Sequence, residues 1–256
     1  MKKTKINAYS LKGYYTPRPK TAPPLAGRMN CGRLSIPPLG PIGTPPPTAG
    51  GGLHFITDSN LSRAGNMNDV RNALAAGVKV VQYRNKDSST KQMYEEALKL
   101  KSICKGVIFL IDDRVDIALS VNADGVHLGR YDMPYSVARK LLGKKKIIGL
   151  TVHSVKEAKE AQRSGADYIG VSPIFLTKTK GDAGKPKGIG LIKEIRKYVS
   201  IPIIAIGGIN LSNAKEVIKA GASGLCAISA VVTKPDVKKE IKKFQALFPK
   251  YKHLSV

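Results

Sequence analysis

Asp112, Asp113 and Asp132 lie in one stretch, Gly106–Asp132, reading GVIFLIDDRVDIALSVNADGVHLGRYD. Two of them follow directly on the apolar run Val107–Ile111, and the third comes three residues after a second run, Gly125–Gly129. In a parallel α/β sheet or barrel, consecutive strands open onto the same face, where ligands bind. Asp113 and Asp132 would converge there on one hard cation such as Mg²⁺, which takes oxygen ligands and keeps several waters. Spacing alone equally allows solvated loop acids or a helix cap. In QYRNK, Gln82, Arg84 and Lys86 alternate, which puts an amide and two cations on one side of an extended segment, a set suited to a diphosphate. Thr177-Lys178-Thr179-Lys180-Gly181 supplies hydroxyl and ammonium groups in a segment running to Gly188. Ile206-Gly207-Gly208-Ile209-Asn210 and Ala227-Ile228-Ser229-Ala230 offer backbone N–H groups, and such paired loops cradle phosphate where glycine lets the backbone close on the anion. Together these segments point to a phosphate-and-metal site.

Such residues converge only if regular elements carry them to one face. From Leu53 onward a short apolar strand alternates with a segment of helical period. The strands read Leu53–Thr57, Val78–Arg84, Val107–Ile111, Gly125–Gly129, Lys146–Val152, Asp167–Ser172, Pro202–Gly207 and Gly224–Ser229. Between them the pattern predicts helices near Asn68–Ala76, Ser89–Cys104, Arg114–Val121, Pro134–Leu142, Ser154–Ser164, Gly190–Val199 and Ser212–Ala220, with Asp236–Phe248 last. Gly77, Gly165 and Gly221 follow helices at positions where a left-handed residue ends them. Eight such units in about 200 residues predict an α/β fold, a single (β/α)₈ TIM barrel at its compact limit. A doubly wound open sheet is the alternative.

Residues 1–52 hold ten of the sixteen prolines and end in Gly50-Gly51-Gly52, a composition that reads as a disordered, basic Pro/Gly-rich extension. It is either a polyproline ligand or basic arm, or an upstream extension without a role in the fold. The barrel is expected over residues 53–250, with a short tail at 251–256. The extension carries eight of the 43 basic residues and none of the 18 acidic ones, so the rest of the chain keeps a net charge of +17. That balance favours anionic partners, while few aromatics and no Arg-rich helix argue against a specific nucleic-acid module. Cys31, Cys104 and Cys226 are odd in number and far apart, fitting a reducing cytoplasm better than disulfides or a metal cluster. No apolar run approaches the ~18 residues of a membrane span, and MKKTK is not followed by the apolar core of a signal peptide.

In order along the chain, QYRNK, IDDRVDIAL, ADGVHLGRYD, TVHS, SPIFLTKTK, AIGGIN and AISA resemble the successive signatures of the thiamine phosphate synthase family. The resemblance runs from Leu53 to about Phe248. It implies a transferase that joins hydroxymethylpyrimidine diphosphate to hydroxyethyl-methylthiazole phosphate with Mg²⁺, releasing pyrophosphate. Carried over by position, it implies that Gln82, Arg84 and Lys86 hold the pyrimidine diphosphate, with Asp113 and Asp132 binding Mg²⁺ against its phosphates. Thr151 takes a position usually held by Ser near the diphosphate. Thr177, Thr179 and Lys180 match a flexible loop, with Lys180 facing the leaving pyrophosphate. Gly188, Gly208, Ile228 and Ser229 fall where the thiazole phosphate is bound. Lys180, Arg84 and Lys86 would be the catalytic cations, and the partners would be two small molecules, with no specific nucleic acid and no membrane; a homo-oligomer is compatible with the sequence.

Some positions depart from the family's pattern. Asp112 stands where Asn is usual, adding an acid beside an anionic substrate, either as a further metal ligand or at a cost in diphosphate affinity. Arg130 and Tyr131 replace Gln-Glu, Leu176 replaces Pro or Ala, and His54 replaces Tyr. His127 and His153 are expected to be hydrogen-bonded barrel residues, and Asp58 and Asp116 caps or surface acids. The alternatives in function are a thiazole tautomerase-like relative, expected to carry a histidine where this chain has Pro173, and another phosphate-binding barrel protein or a noncatalytic binder.

Overall fold

The computed structural model describes residues 51–177, 179 and 184–248. The expected tail at 251–256, most of the expected extension, and Lys180 lie outside the described residues. Gly51 and Gly52, assigned above to the extension, belong to the barrel instead. Gly52 opens the first strand and pairs with Gly224, while a Cβ on Gly51 would come within 2.9 Å of Phe248 Cδ1. Close packing, rather than linker flexibility, accounts for this end of the glycine run.

Eight strands are found among the described residues: β1 Gly52–Ile56, β2 Val80–Tyr83, β3 Ile108–Asp112, β4 Gly125–Leu128, β5 Ile147–Val152, β6 Tyr168–Val171, β7 Ile203–Ile206 and β8 Gly224–Cys226. The intervening helices are α1 Asn66–Ala75, α2 Thr90–Ile103, α3 Val115–Ser120, α4 Tyr135–Leu142, α5 Val155–Ser164, α6 Gly188–Arg196 and α7 Ala214–Lys219; α8 Ser229–Val232 and α9 Val237–Gln245 follow β8. Each strand pairs in parallel with its sequence neighbours, and β8 returns to β1, closing the barrel. The expected (β/α)₈ architecture is the one found. Element ends shift by one to three residues, and at one of them the element type changes: β8 stops at Cys226, and Ser229, expected to end it, starts the single turn α8. Its apolar residues Val231 and Val232 are buried whichever element they belong to, so hydrophobicity alone does not distinguish the two.

Local chemistry sets the helix ends. Ser89 and Gln92 form a reciprocal capping box on α2, Ser154 accepts from Glu157 N, and Asp236 from Lys239 N. Gly165 ends α5 in the left-handed region, at φ 90°.

Strand alternation divides the core in two. Leu53, Phe55, Val81, Tyr83, Phe109 and Ile111 join the layer between strands and helices. The other face turns inward, where Ile56, Val80, Leu110, Tyr168, Ile204 and Cys226 fill the barrel. Tyr168 takes a large share of that interior because β5 offers it a glycine: a Cβ on Gly149 would fall inside the Tyr168 ring. Two histidines share the space. His54 is 6% exposed and meets Tyr168 edge-on with ring centroids 6.0 Å apart, while His127 stacks on it at 5.4 Å.

Burial, reinforced by His127, pushes the His54 pKa down from 6.5 to about 4. The fold therefore holds this imidazole neutral, and the unfolded chain binds the extra proton between those two pH values. Stability from this group is complete above pH 6.5 and falls as the pH drops toward 4, by about 2 kcal/mol between pH 7 and pH 5. Urea midpoints of the wild type and of His54→Gln at both pH values measure the difference. The variant is expected to lose about 2 kcal/mol less on acidification; equal losses would refute the assignment.

Candidate active site

At the carboxyl ends of the strands the barrel opens into a cavity of about 330 Å³. Residues from the ends of β1, β2, β3, β4, β5, β7 and β8 and from the loops after β6, β7 and β8 line it. Its charged floor is set by β2 and β3. Gln82, in β2, is 6% exposed and donates from Nε2 to Asp112 Oδ1 at 2.7 Å. Asp112 ends β3, and its other oxygen lies 3.7 Å from both Arg84 Nε and Lys86 Nζ. Arg84 is held from the opposite side by Asp58, whose Oδ2 accepts from Nη1 at 3.1 Å. Lys86 Nζ is ion-paired directly with Asp113.

Asp113 adopts φ 60°, one of two non-glycine residues with positive φ among those described. Left-handed backbone is sparsely populated by residues other than Gly, Asn and Asp, and it collects at functional sites. Here its N–H donates to His127 O at 2.8 Å, tying the turn after β3 to β4 while the carboxylate lines the cavity. Asp132 is joined to Gly129, which lines the cavity. Its Oδ2 accepts from Gly129 N at 2.6 Å, and Oδ1 has no protein partner among the described residues.

On the far side, Thr151 of β5 bonds His127 Nε2 through Oγ1 at 2.8 Å, and His127 Nδ1 lies 2.9 Å from the Tyr168 hydroxyl. His153 Nδ1 donates to Ser172 O at 2.6 Å, since a carbonyl can only accept. The loops after β6 and β7 are pressed together. Ile174 N and Phe175 N donate to Ile206 O and Gly207 O, at 2.9 and 3.0 Å. A Cβ on Gly207 would sit 2.8 Å from Pro173 Cα, and one on Gly208 would sit 2.6 Å from Leu176 O. Both glycines have positive φ, 96° and 64°, so close approach and backbone conformation each require glycine here.

Of the residues singled out from sequence, Gln82, Arg84, Asp112, Asp113, Thr151, Thr177, Thr179, Gly208, Ile228 and Ser229 line this one cavity. Lys86 joins it through its ion pairs, and Asp132 through Gly129. Gly188 opens α6 with its N–H already given to Ile174 O at 2.9 Å. Asp58 caps its turn as expected, accepting from Asn60 N and Leu61 N, but it is not a surface acid: it is 4% exposed and serves as the counter-ion that fixes Arg84. Its burial is set by packing in the β1 loop, which sequence spacing does not encode. Lys185 and Lys187 also line the cavity; the signal for them in the sequence is GKPKG at the start of α6, which sets two cations on the same loop as Lys180. His127 and His153 are hydrogen-bonded barrel residues as expected, and both also face the cavity.

Among the described residues no three His, Cys, Asp or Glu side chains cluster as a metal cage. A pair of carboxylates beside an anion site suits a hard cation that takes one or two carboxylates and completes its shell with phosphate and water. The donor set at Asp113 and Asp132 fits Mg²⁺ in kind.

A family model described as thiamine monophosphate synthase matches residues 53–231. A thiamine-phosphate synthase of Methanosarcina mazei is 55% identical over 193 residues, 75% of this chain and 80% of that one. One of Chloroflexus aurantiacus is 49% identical over 198 residues, 76% of this chain and 91% of that one. Among solved structures, a thiamine phosphate pyrophosphorylase from Pyrococcus furiosus superposes with a TM-score of 0.71 at 41% identity, covering 77% of this chain and 94% of its own.

The charge arrangement lends itself to direct measurement. Asp112→Asn keeps an acceptor for Gln82 and removes the negative charge between Arg84 and Lys86. The dissociation constant for inorganic pyrophosphate, read by calorimetry, is expected to fall by about threefold to tenfold. An unchanged or weaker affinity would show that Asp112 does not compete with the anion.

Proposed function

The chain belongs to the thiamine monophosphate synthase family, and from that premise we propose how its barrel mouth joins a pyrimidine diphosphate to a thiazole phosphate. The activity is thiamine-phosphate synthesis, a transferase reaction. In the proposed arrangement Gln82, Arg84 and Lys86 bind the pyrimidine diphosphate, and Thr151 faces it from β5. Thr177, Thr179, Lys185 and Lys187 border the same space, with Lys180 of that loop assigned to the departing pyrophosphate. Gly208, Ile228 and Ser229 receive the thiazole phosphate, and Gly188 shapes the turn that enters α6. The observation that carries the reading is the juxtaposition of Arg84 and Lys86 with Asp112 and Asp113 at the ends of two adjacent strands.

The chemistry asks little of a general base. Breaking the bond between the pyrimidine methylene and the diphosphate leaves a resonance-stabilised cation, and the thiazole nitrogen then forms the new C–N bond. Preorganised cations stabilise the charge that grows on the leaving pyrophosphate, and they cost no reorganisation at that moment. Holding the thiazole by its phosphate supplies proximity. Asp113 and Asp132 would hold Mg²⁺, which when bound neutralises phosphate charge. Gln82, with its amide nitrogen committed to Asp112, presents its carbonyl oxygen as an acceptor and so favours an amino donor on the bound ring. Pro173 offers no proton-transfer group where a tautomerase-like relative is expected to have histidine. A cytoplasmic location is proposed, consistent with Cys104 and Cys226 as buried free thiols; no helix among the described residues is long and apolar enough to cross a membrane.

A coupling assay tests the reading. Purified protein with both substrates is expected to give thiamine phosphate in the presence of Mg²⁺ and to stop on chelation. Asp113→Ala and Lys180→Ala are each expected to lower turnover by roughly a hundredfold or more. No product and no binding of either substrate would overturn it; binding without product would move the fault to Asp112 and call for Asp112→Asn.

A further inference from the structure

A short chain of hydrogen bonds runs from the barrel interior to the cavity wall, and the reaction as described uses only its last member, Thr151. Tyr168 is 2% exposed, and its ring is locked over Gly149. Its hydroxyl lies 2.9 Å from His127 Nδ1, and among the described residues no other hydrogen-bond partner is found for it. His127 Nε2 lies in turn 2.8 Å from Thr151 Oγ1, and Thr151 lines the cavity.

The direction of each bond follows from donor counting. A neutral imidazole carries one proton, and the partner of one nitrogen decides which nitrogen holds it. If Nδ1 carried the proton it would donate to the Tyr168 oxygen, leaving a fully buried phenolic O–H with no acceptor, an arrangement native interiors avoid. The Tyr168 O–H therefore donates to Nδ1, which must be unprotonated, and the proton sits on Nε2. Nε2–H then donates to Thr151 Oγ1. With its oxygen already accepting, the Thr151 hydroxyl hydrogen has no bond to make toward His127 and turns to the cavity.

We propose that Tyr168 sets the tautomer of His127 and thereby makes the Thr151 hydroxyl a hydrogen-bond donor aimed at the pyrimidine diphosphate. Tyr168 and His127 are positioning residues in this arrangement, and Thr151 is the group that touches the ligand. The inference rests on the reading above that the pyrimidine diphosphate occupies this side of the cavity. A hydroxyl held as a donor matches a phosphate oxygen or a ring nitrogen and discriminates against a ligand that presents a donor at that point.

Two measurements test it, and they fail separately. In protein labelled with ¹⁵N-histidine, two-bond proton–nitrogen correlations, assigned by loss of the signal in His127→Gln, are expected to show His127 as the neutral Nε2–H tautomer. An Nδ1–H tautomer would overturn the proposal whatever the enzyme's activity. A kinetic double-mutant cycle gives the second readout. Tyr168→Phe keeps the ring over Gly149 and is expected to raise KM for the pyrimidine diphosphate about tenfold, with little change in KM for the thiazole phosphate. In a Thr151→Val background, where no hydroxyl remains to be oriented, the same substitution is expected to cost less than about twofold. Equal costs in both backgrounds, or a parallel rise in both KM values, would reduce Tyr168 to packing and overturn the proposal. Absence of coupling activity in the wild type would strike the functional reading instead, leaving the tautomer to decide this one.

Discussion

The site depends on how β2 is registered against β3. Val80 pairs with Ile108 and Tyr83 with Ile111, so the residues that follow each strand emerge side by side. That register brings Arg84 and Lys86 against Asp112 and Asp113, giving two cations and two anions at the floor of one cavity. Slipping a strand by one residue would reverse which side chains face the barrel interior. The apolar partition forbids it, because Val81, Phe109 and Ile111 are needed beneath the helices while Val80 and Leu110 fill the interior. Packing in the core thus fixes the electrostatics of the mouth.

Charge compensation explains how so polar a floor is tolerated in a half-buried setting. Buried or half-buried carboxylates are costly unless paired and hydrogen-bonded. Asp112 has an amide and two cations, Asp58 has Arg84 and two backbone N–H groups, and Asp113 has Lys86. The ground state is nearly neutral on this side, whereas Lys185 and Lys187 on the opposite loop face the cavity with no counter-ion found among the described residues. An anionic ligand bridging the two sides would meet preorganised positive charge from the loop and a balanced network from the strands.

The strands were legible because both faces of each are covered, which writes them as short apolar runs such as FLI in β3 and IIAI in β7. The carboxylates after β3 were legible for the same reason, since the run ends abruptly at Asp112. What sequence did not reveal depends on distance in space. The pairing of Asp58 with Arg84 spans 26 positions and needs the β1–β2 register to bring them together. The links from His127 to Tyr168 and Thr151 span 41 and 24 positions, and neither shows in any local pattern. α8 was missed because one apolar turn and the end of a buried strand look alike.

The contact between Gly149 and Tyr168 binds the histories of two positions on neighbouring strands. Tyr168 fits only while position 149 lacks a side chain, and the hollow that Gly149 leaves is filled only while position 168 carries a large ring. Neither site is free to drift alone: enlarging the first expels the second, and shrinking the second opens a void in close-packed interior. Any lineage that abandons this tyrosine must therefore cross a less stable intermediate or change both strands together, so the pair should be inherited as one character.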